Sequence, residues 1–134
     1  MRFKIAAGLA VIVGLSIAVP VQAKTPLREV SEIDDHLMSI AIADEIRKEC
    51  DGISARMIKA VSVLQGLKAK AHALGYTNDE IDDYVTSKAE KKRMRKKAEA
   101  WLEARGVNGY NEAELCAFGK EQIKAGGQIG ELLR

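Results

Sequence analysis

Between Ile53 and Leu74 the apolar residues Ile53, Met57, Val61, Leu64, Leu67, Ala71 and Leu74 recur at spacings of 4, 4, 3, 3, 4 and 3, while Arg56, Lys59, Lys68 and Lys70 fall off that line. Such a period is the signature of an amphipathic helix and is incompatible with a half-buried strand, whose side chains alternate. The mean spacing of 3.5 predicts shallow antiparallel packing on a neighbouring helix. Gly75 follows where a left-handed helix end is expected.

The same period runs through the rest of the chain. From about Val30 to Cys50, a stripe of Ile33, Leu37, Ile40, Ala43 and Ile46 predicts a first helix whose core face ends in Cys50. Asp51-Gly52 supplies a turn, and the next helix is expected to start near Ser54. Two capping boxes follow, Thr77 with Glu80 and Ser87 with Glu90. They predict a short third helix carrying Ile81, Tyr84 and Val85, and a fourth helix to about Arg105, stopped by Gly106. The fourth helix is nearly all charge in its first half, so the bundle is expected to hold it by Met94, Ala98, Trp101 and Leu102. Asn111 with Glu114 opens a fifth helix that Gly126-Gly127 ends, and Ile129, Leu132 and Leu133 form an apolar tail expected to pack down. The expected fold is all-α, a small bundle of about five helices forming one domain over residues 24–134.

Residues 1–23 have a different character. Arg2 and Lys4 precede an apolar run from Ile5 to Val19, and Pro20 leads into Val21-Gln22-Ala23. This is the layout of a cleavable signal peptide, with cleavage expected between Ala23 and Lys24. The run is short of the roughly 20 residues a spanning helix needs and is interrupted by Gly8, Gly14 and Ser16. No membrane span is expected after cleavage, and the expected location is periplasmic or secreted. The whole chain carries 21 basic and 19 acidic residues, but residues 1–23 hold two of the basic ones and none of the acidic ones. Residues 24–134 are therefore formally neutral, which removes a global attraction to nucleic acid or anionic membrane. In an oxidising compartment Cys50 and Cys116 are expected to form one disulfide.

The search for chemistry leaves few candidates. Lys88, Lys91, Lys92, Arg93, Arg95, Lys96 and Lys97 crowd the start of the fourth helix, and Lys91, Lys92, Lys96 and Lys97 are taken as a candidate binding face. No aromatic residue lies among them to stack a base, so nucleic acid is not expected as a partner. A solvated face paired with Asp79, Glu80, Asp82 and Asp83 is the favoured alternative. Those acids lack the ligand spacing of a calcium loop. His36 and His72 have no partner at the spacing metal ligands use, so no metal or cofactor is expected. No nucleophile elbow, phosphate loop or other catalytic motif is present, and the chain is read as a non-enzyme. Asp44, Arg47 and Arg56 are taken as a candidate ion-pair cluster near Cys50, with a small cleft as the alternative.

Ile42-Ala-Asp-Glu-Ile-Arg-Lys-Glu-Cys50, Ile53-Ser-Ala-Arg-Met57, Leu74-Gly-Tyr-Thr77, Cys116-Ala-Phe-Gly119 and Gln128-Ile-Gly-Glu-Leu-Leu-Arg134 resemble an uncharacterised family of small exported alphaproteobacterial proteins, a domain of unknown function. The resemblance covers most of residues 24–134. It implies an exported helical protein with the two cysteines as a matched pair and supplies no activity or ligand. Two functional classes are expected on these grounds: an exported accessory protein that binds an envelope macromolecule, or a helical protein that handles a small molecule or metal between helices.

Overall fold

The computed structural model describes residues 18 and 23–134, so the predicted leader lies almost wholly outside the described residues. Five helices follow one another: α1 (Ser31–Glu49), α2 (Met57–Ala73), α3 (Asn78–Thr86), α4 (Lys88–Glu103) and α5 (Glu112–Ala125). Short 3-10 turns at Leu27–Glu29 and Gly130–Leu132 flank them. The described residues contain no strand, only an isolated antiparallel bridge between Ala55 and Leu133.

α1 is the axis of the fold. Its Met38, Ile42 and Ile46 enter a core completed by Leu102 of α4, Leu115 and Phe118 of α5, and Leu132 and Leu133 of the C-terminal segment. Trp101 meets Phe118 edge to face, with ring centroids 6.1 Å apart. A smaller cluster of Leu27, Ile33, Ala71, Tyr76 and Ile81 closes the other end of the molecule. Of the predicted α1 stripe Ile33, Ala43 and Ile46 are buried, three of the seven residues that α1 buries. Met38 and Ile42 also face the core, whereas Leu37 and Ile40 are only partly covered, because helices pack on more than one side of α1.

The predicted disulfide is present between Cys50 and Cys116, whose Cα atoms are 5.5 Å apart. It fastens the end of α1 to the N-terminal part of α5. Close to it α5 approaches α1 so tightly that a Cβ on Gly119 would lie 2.7 Å from Cγ2 of Ile46. The apolar tail packs down as expected, with Ile129, Leu132 and Leu133 buried. Gly130 permits this, since a Cβ there would fall 1.8 Å from the Gln122 carbonyl oxygen.

The tail also explains why α2 begins at Met57 and not near Ser54. Ser54 and Arg134 exchange two backbone hydrogen bonds of 2.9 Å, and the Arg56 N–H donates to the Leu132 carbonyl at 2.8 Å. Ser54, Ala55 and Arg56 are thus paired with the C-terminal residues before the helix can start. Thr77 and Glu80 form a complete capping box. The second box is only half made: Ser87 Oγ accepts from the Glu90 N–H at 3.3 Å, but the Glu90 carboxylate turns away toward Arg28 and Arg93.

The largest correction concerns α2. Of its predicted core stripe, Met57, Val61, Leu64 and Leu74 are exposed, and only Leu67 and Ala71 of the helix itself are buried. The covered face is instead the line Ala60, Val63, Leu67 and Ala71, with Ala60 and Val63 against the main core. α1, α3 and the tail touch the helix, and none of them covers Met57, Ile58, Val61 or Leu64 fully.

Candidate binding groove

The exposed half of the α2 stripe borders an open groove of about 530 Å³. Leu37, Ile40 and Ala41 of α1 and Ala60 and Leu64 of α2 line it, and Met94 of α4 faces them. Val85 closes one part and Leu132 and Leu133 another. Beyond the groove the apolar surface continues over α2, where Ile58 is 90% and Val61 49% exposed.

A buried ionic network holds α1, α3 and α4 in place and so shapes this groove. Asp34 is 1% exposed. Its carboxylate accepts from Arg93 at 2.5 and 3.2 Å, from Lys97 at 2.5 Å and from the Tyr84 hydroxyl. Glu90 adds ion pairs with Arg93 at 2.7 Å and with Arg28. Burial by itself raises the Asp34 pKa, but the hydrogen bonds from Arg93, Lys97 and Tyr84 outweigh it and hold the carboxyl below the usual carboxylate range. Burial and the Asp34 charge together push the Tyr84 hydroxyl up, and Asp34 raises Arg93 further. Asp34, Tyr84 and Arg93 are therefore each held in their ordinary charge state at neutral pH. Tyr84, Glu90 and Arg93 also line the groove, so the network forms part of its wall.

This arrangement divides the four lysines taken as one face. Lys97 turns inward to Asp34 and to Asp35, each at 2.5 Å. Lys91 lines the groove, and Lys91, Lys92 and Lys96 are exposed with no salt bridge among the described residues. The α3 acids are not their partners: Glu80 pairs with Lys24 at 2.9 Å, while the buried network draws on Asp34 and Glu90. The N-terminal half of α4 is consequently held by ion pairs as well as by the apolar residues further along.

The cluster near Cys50 is also redrawn. Asp44 pairs with Arg47 at 2.7 Å and with Lys48 at 2.5 Å, and Asp44 and Arg47 both line the groove. Arg56 makes no salt bridge among the described residues, because its backbone is tied to Leu132 and its side chain points to solvent. Burial raises and the Lys48 and Arg47 hydrogen bonds lower the Asp44 pKa, with a net fall.

His72 donates from Nδ1 to the Tyr76 carbonyl at 3.0 Å. His36 is half-buried, and its enclosed Nε2 has no hydrogen-bond partner among the described residues. No three His, Cys, Asp or Glu side chains are grouped to hold a metal ion among the described residues. No helix there is long and apolar enough to cross a membrane.

The Asp34 network was not assigned from sequence, and of the groove the sequence offered only the small cleft beside Asp44 and Arg47, as an alternative to an ion-pair cluster. The available signal was Arg93 and Lys97 at i,i+4, which places two cations on one face of α4 opposite the Asp34-Asp35 pair.

Residues 25–134 match a family model described as a family of unknown function, DUF5333. The chain belongs to that family. The match begins beside Lys24, which the DUF5333 fold pins through its Nζ to the Gly75 carbonyl at 2.7 Å and over the Tyr76 ring. Neither a curated protein nor a solved structure matches this DUF5333 chain.

Proposed function

We propose that this chain is an exported, periplasmic or secreted, non-enzymatic accessory protein that binds another macromolecule through the groove and the exposed face of α2. The observation that carries the reading is the spread of apolar surface beyond the groove. A small ligand would fill the groove between α1, α2 and α4 and leave Ile58 and Val61 in water, whereas a macromolecule covers both. The disulfide and the leader-like residues 1–23 support export. The Asp34 carboxylate is fully engaged by Arg93, Lys97 and Tyr84, which supports a non-catalytic role.

A small-molecule reading rests on the groove volume, about 530 Å³, which lies within the range of about 300–1,000 Å³ typical of ligand pockets. The two readings separate in one experiment. A photo-crosslinking residue placed at Ile58 or Val61 is expected to capture a macromolecule in the producing cell, and one at the exposed Lys120 of α5 is not. Absence of adducts from Ile58 and Val61, or equal adducts from Lys120, would overturn the macromolecular reading.

A further inference from the structure

We infer that the occupant of the groove is an amphipathic α-helix of a partner protein whose apolar stripe is flanked by acidic residues. The inference rests on the macromolecular reading above and gives the partner its chemistry.

The shape of the site selects a helix. The groove follows α1 from Leu37 to Arg47, about 15 Å at the helical rise and close to three turns of a docked helix. Its floor is aliphatic and offers a guest no ladder of backbone groups, because the one bridge nearby, Ala55 with Leu133, is already formed within the chain. An extended segment laid there would bury unpaired N–H and C=O groups, at a cost of roughly 1–3 kcal/mol each. A helix satisfies its own backbone and presents only side chains, the usual solution for an apolar groove. Met57 and Met94, unbranched and adaptable, sit among the lining residues and suit repacking against such side chains.

The charges select the sign. Both acids lining the groove are already taken: Asp44 by Arg47 and Lys48, Glu90 by Arg28 and Arg93. Arg47 is spent on Asp44, but four other exposed cations at or near the groove have no such partners. Lys91 lies on its α4 wall, Lys88 and Arg95 continue the same line at i−3 and i+4, and Arg56 stands between the lining residues Ala55 and Met57. None of the four is in a salt bridge among the described residues. Acidic residues along the edges of a guest helix would meet these cations, whereas a symmetric second copy docked through the same face would set the two sets of cations against each other. A flat anionic membrane would meet the cations but leave the concave floor uncovered.

The test is a peptide-display selection on the purified, disulfide-bonded protein with random 16-residue segments, followed by synthesis of the enriched consensus. Enriched peptides are expected to carry apolar residues at i, i+3 or i+4 and i+7 with Asp or Glu beside them, and to gain helical circular dichroism on binding. Leu64→Glu should abolish binding, and Lys91→Glu with Arg95→Glu should weaken it at least tenfold, with tightness restored by a Lys-for-Glu peptide. Leu64 is 43% exposed, so the variant should melt with the parent, a control that separates lost binding from lost folding. Enrichment of basic or extended peptides, or of none, overturns the inference. So does sedimentation as a dimer that Leu64→Glu dissolves, or flotation with phosphatidylglycerol vesicles that the peptide does not compete. Crosslinks from Ile58 and Val61 would in those cases leave macromolecular binding standing without an acidic helix as its partner.

Discussion

α1 and α2 are neighbours of nearly equal length, 19 and 17 residues, yet the first buries seven of its residues and the second two. α1 is surrounded: α4, α5, α2 and both flanking 3-10 segments pack on it, and even its buried polar residues Asp34 and Ser39 are hydrogen-bonded. α2 has the cleaner apolar period, but α1, α3 and the C-terminal turn bury only its Leu67 and Ala71. The difference teaches that an apolar period reports the side of a helix that avoids water and leaves open what removes the water. On α1 the protein's own core does so. On α2 the outer half of the apolar face stays available to something else.

The contrast is sharpest where α1 is fastened. Reducing the Cys50–Cys116 bond opens a loop spanning 66 residues of sequence and is expected to cost about 4 kcal/mol of stability by loop entropy. Urea unfolding with and without reductant measures the loss, and hydrogen exchange should show α1 losing protection near Ile46 while the first turns of α2, already weakly covered, change least. A reductant-insensitive midpoint would mean that α1 gains nothing from the staple. Next in size is Ile46→Ala. Ile46 is fully buried against Gly119 of α5, so truncation is expected to cost about 3–4 kcal/mol. A loss below about 1 kcal/mol would show that α1 is not the packed axis.

Asp34 gives the electrostatic side of the same contrast. Asp34→Asn removes the charge that Arg93, Lys97 and Tyr84 surround, and is expected to cost about 3 kcal/mol at neutral pH. The Asp34 pKa is lowered in the fold. Its contribution is therefore complete above the unfolded-state value near about 4 and fades as pH falls through the lower folded value. Lys97 is raised by the same carboxylate against the opposing effect of burial, so its share is complete below the ordinary lysine range and is lost only as pH rises through the higher folded value. The urea midpoints of parent and variant should stay apart from about pH 5 to 9 and converge below about pH 4. A constant gap down to pH 2 would show that the ionised carboxylate is not what holds α4 to α1.

Helix number, order and most ends were legible because they depend on local chemistry: the Thr77–Glu80 box, the Asn111 cap and the glycines at 75, 106 and 126 act within a few residues of themselves. The disulfide was legible because only one pairing exists. The face of α2 was not, because the residues that decide it, Leu132 and Leu133, lie some 70 positions away and tie down Ser54–Arg56 through backbone bonds that no side-chain pattern encodes. Lys97 was grouped with Lys91 for a similar reason. Adjacent charges on one helix look alike until Asp34, buried on another, takes one of them inward. The groove itself depends on both of these long-range choices, so it appears only once the helices are assembled.

The smallest expected effect is the one that most directly tests the difference between the two helices. Val61→Ser and Leu64→Ser each place a hydroxyl where the α2 face meets water, at side chains 49% and 43% exposed, and are expected to change stability by less than about 0.5 kcal/mol. The same substitution at Ile42 of α1, 2% exposed, should be severe because it both opens a cavity and buries an unpaired hydroxyl. Thermal melts of the three variants, side by side, read the comparison directly. If Val61→Ser or Leu64→Ser lowers stability by more than about 2 kcal/mol, the α2 face is covered within the chain and is not free to bind. If both melt with the parent while crosslinking from position 58 disappears, the apolar residues on that face serve a partner, and their regular spacing is a property of the interface they make.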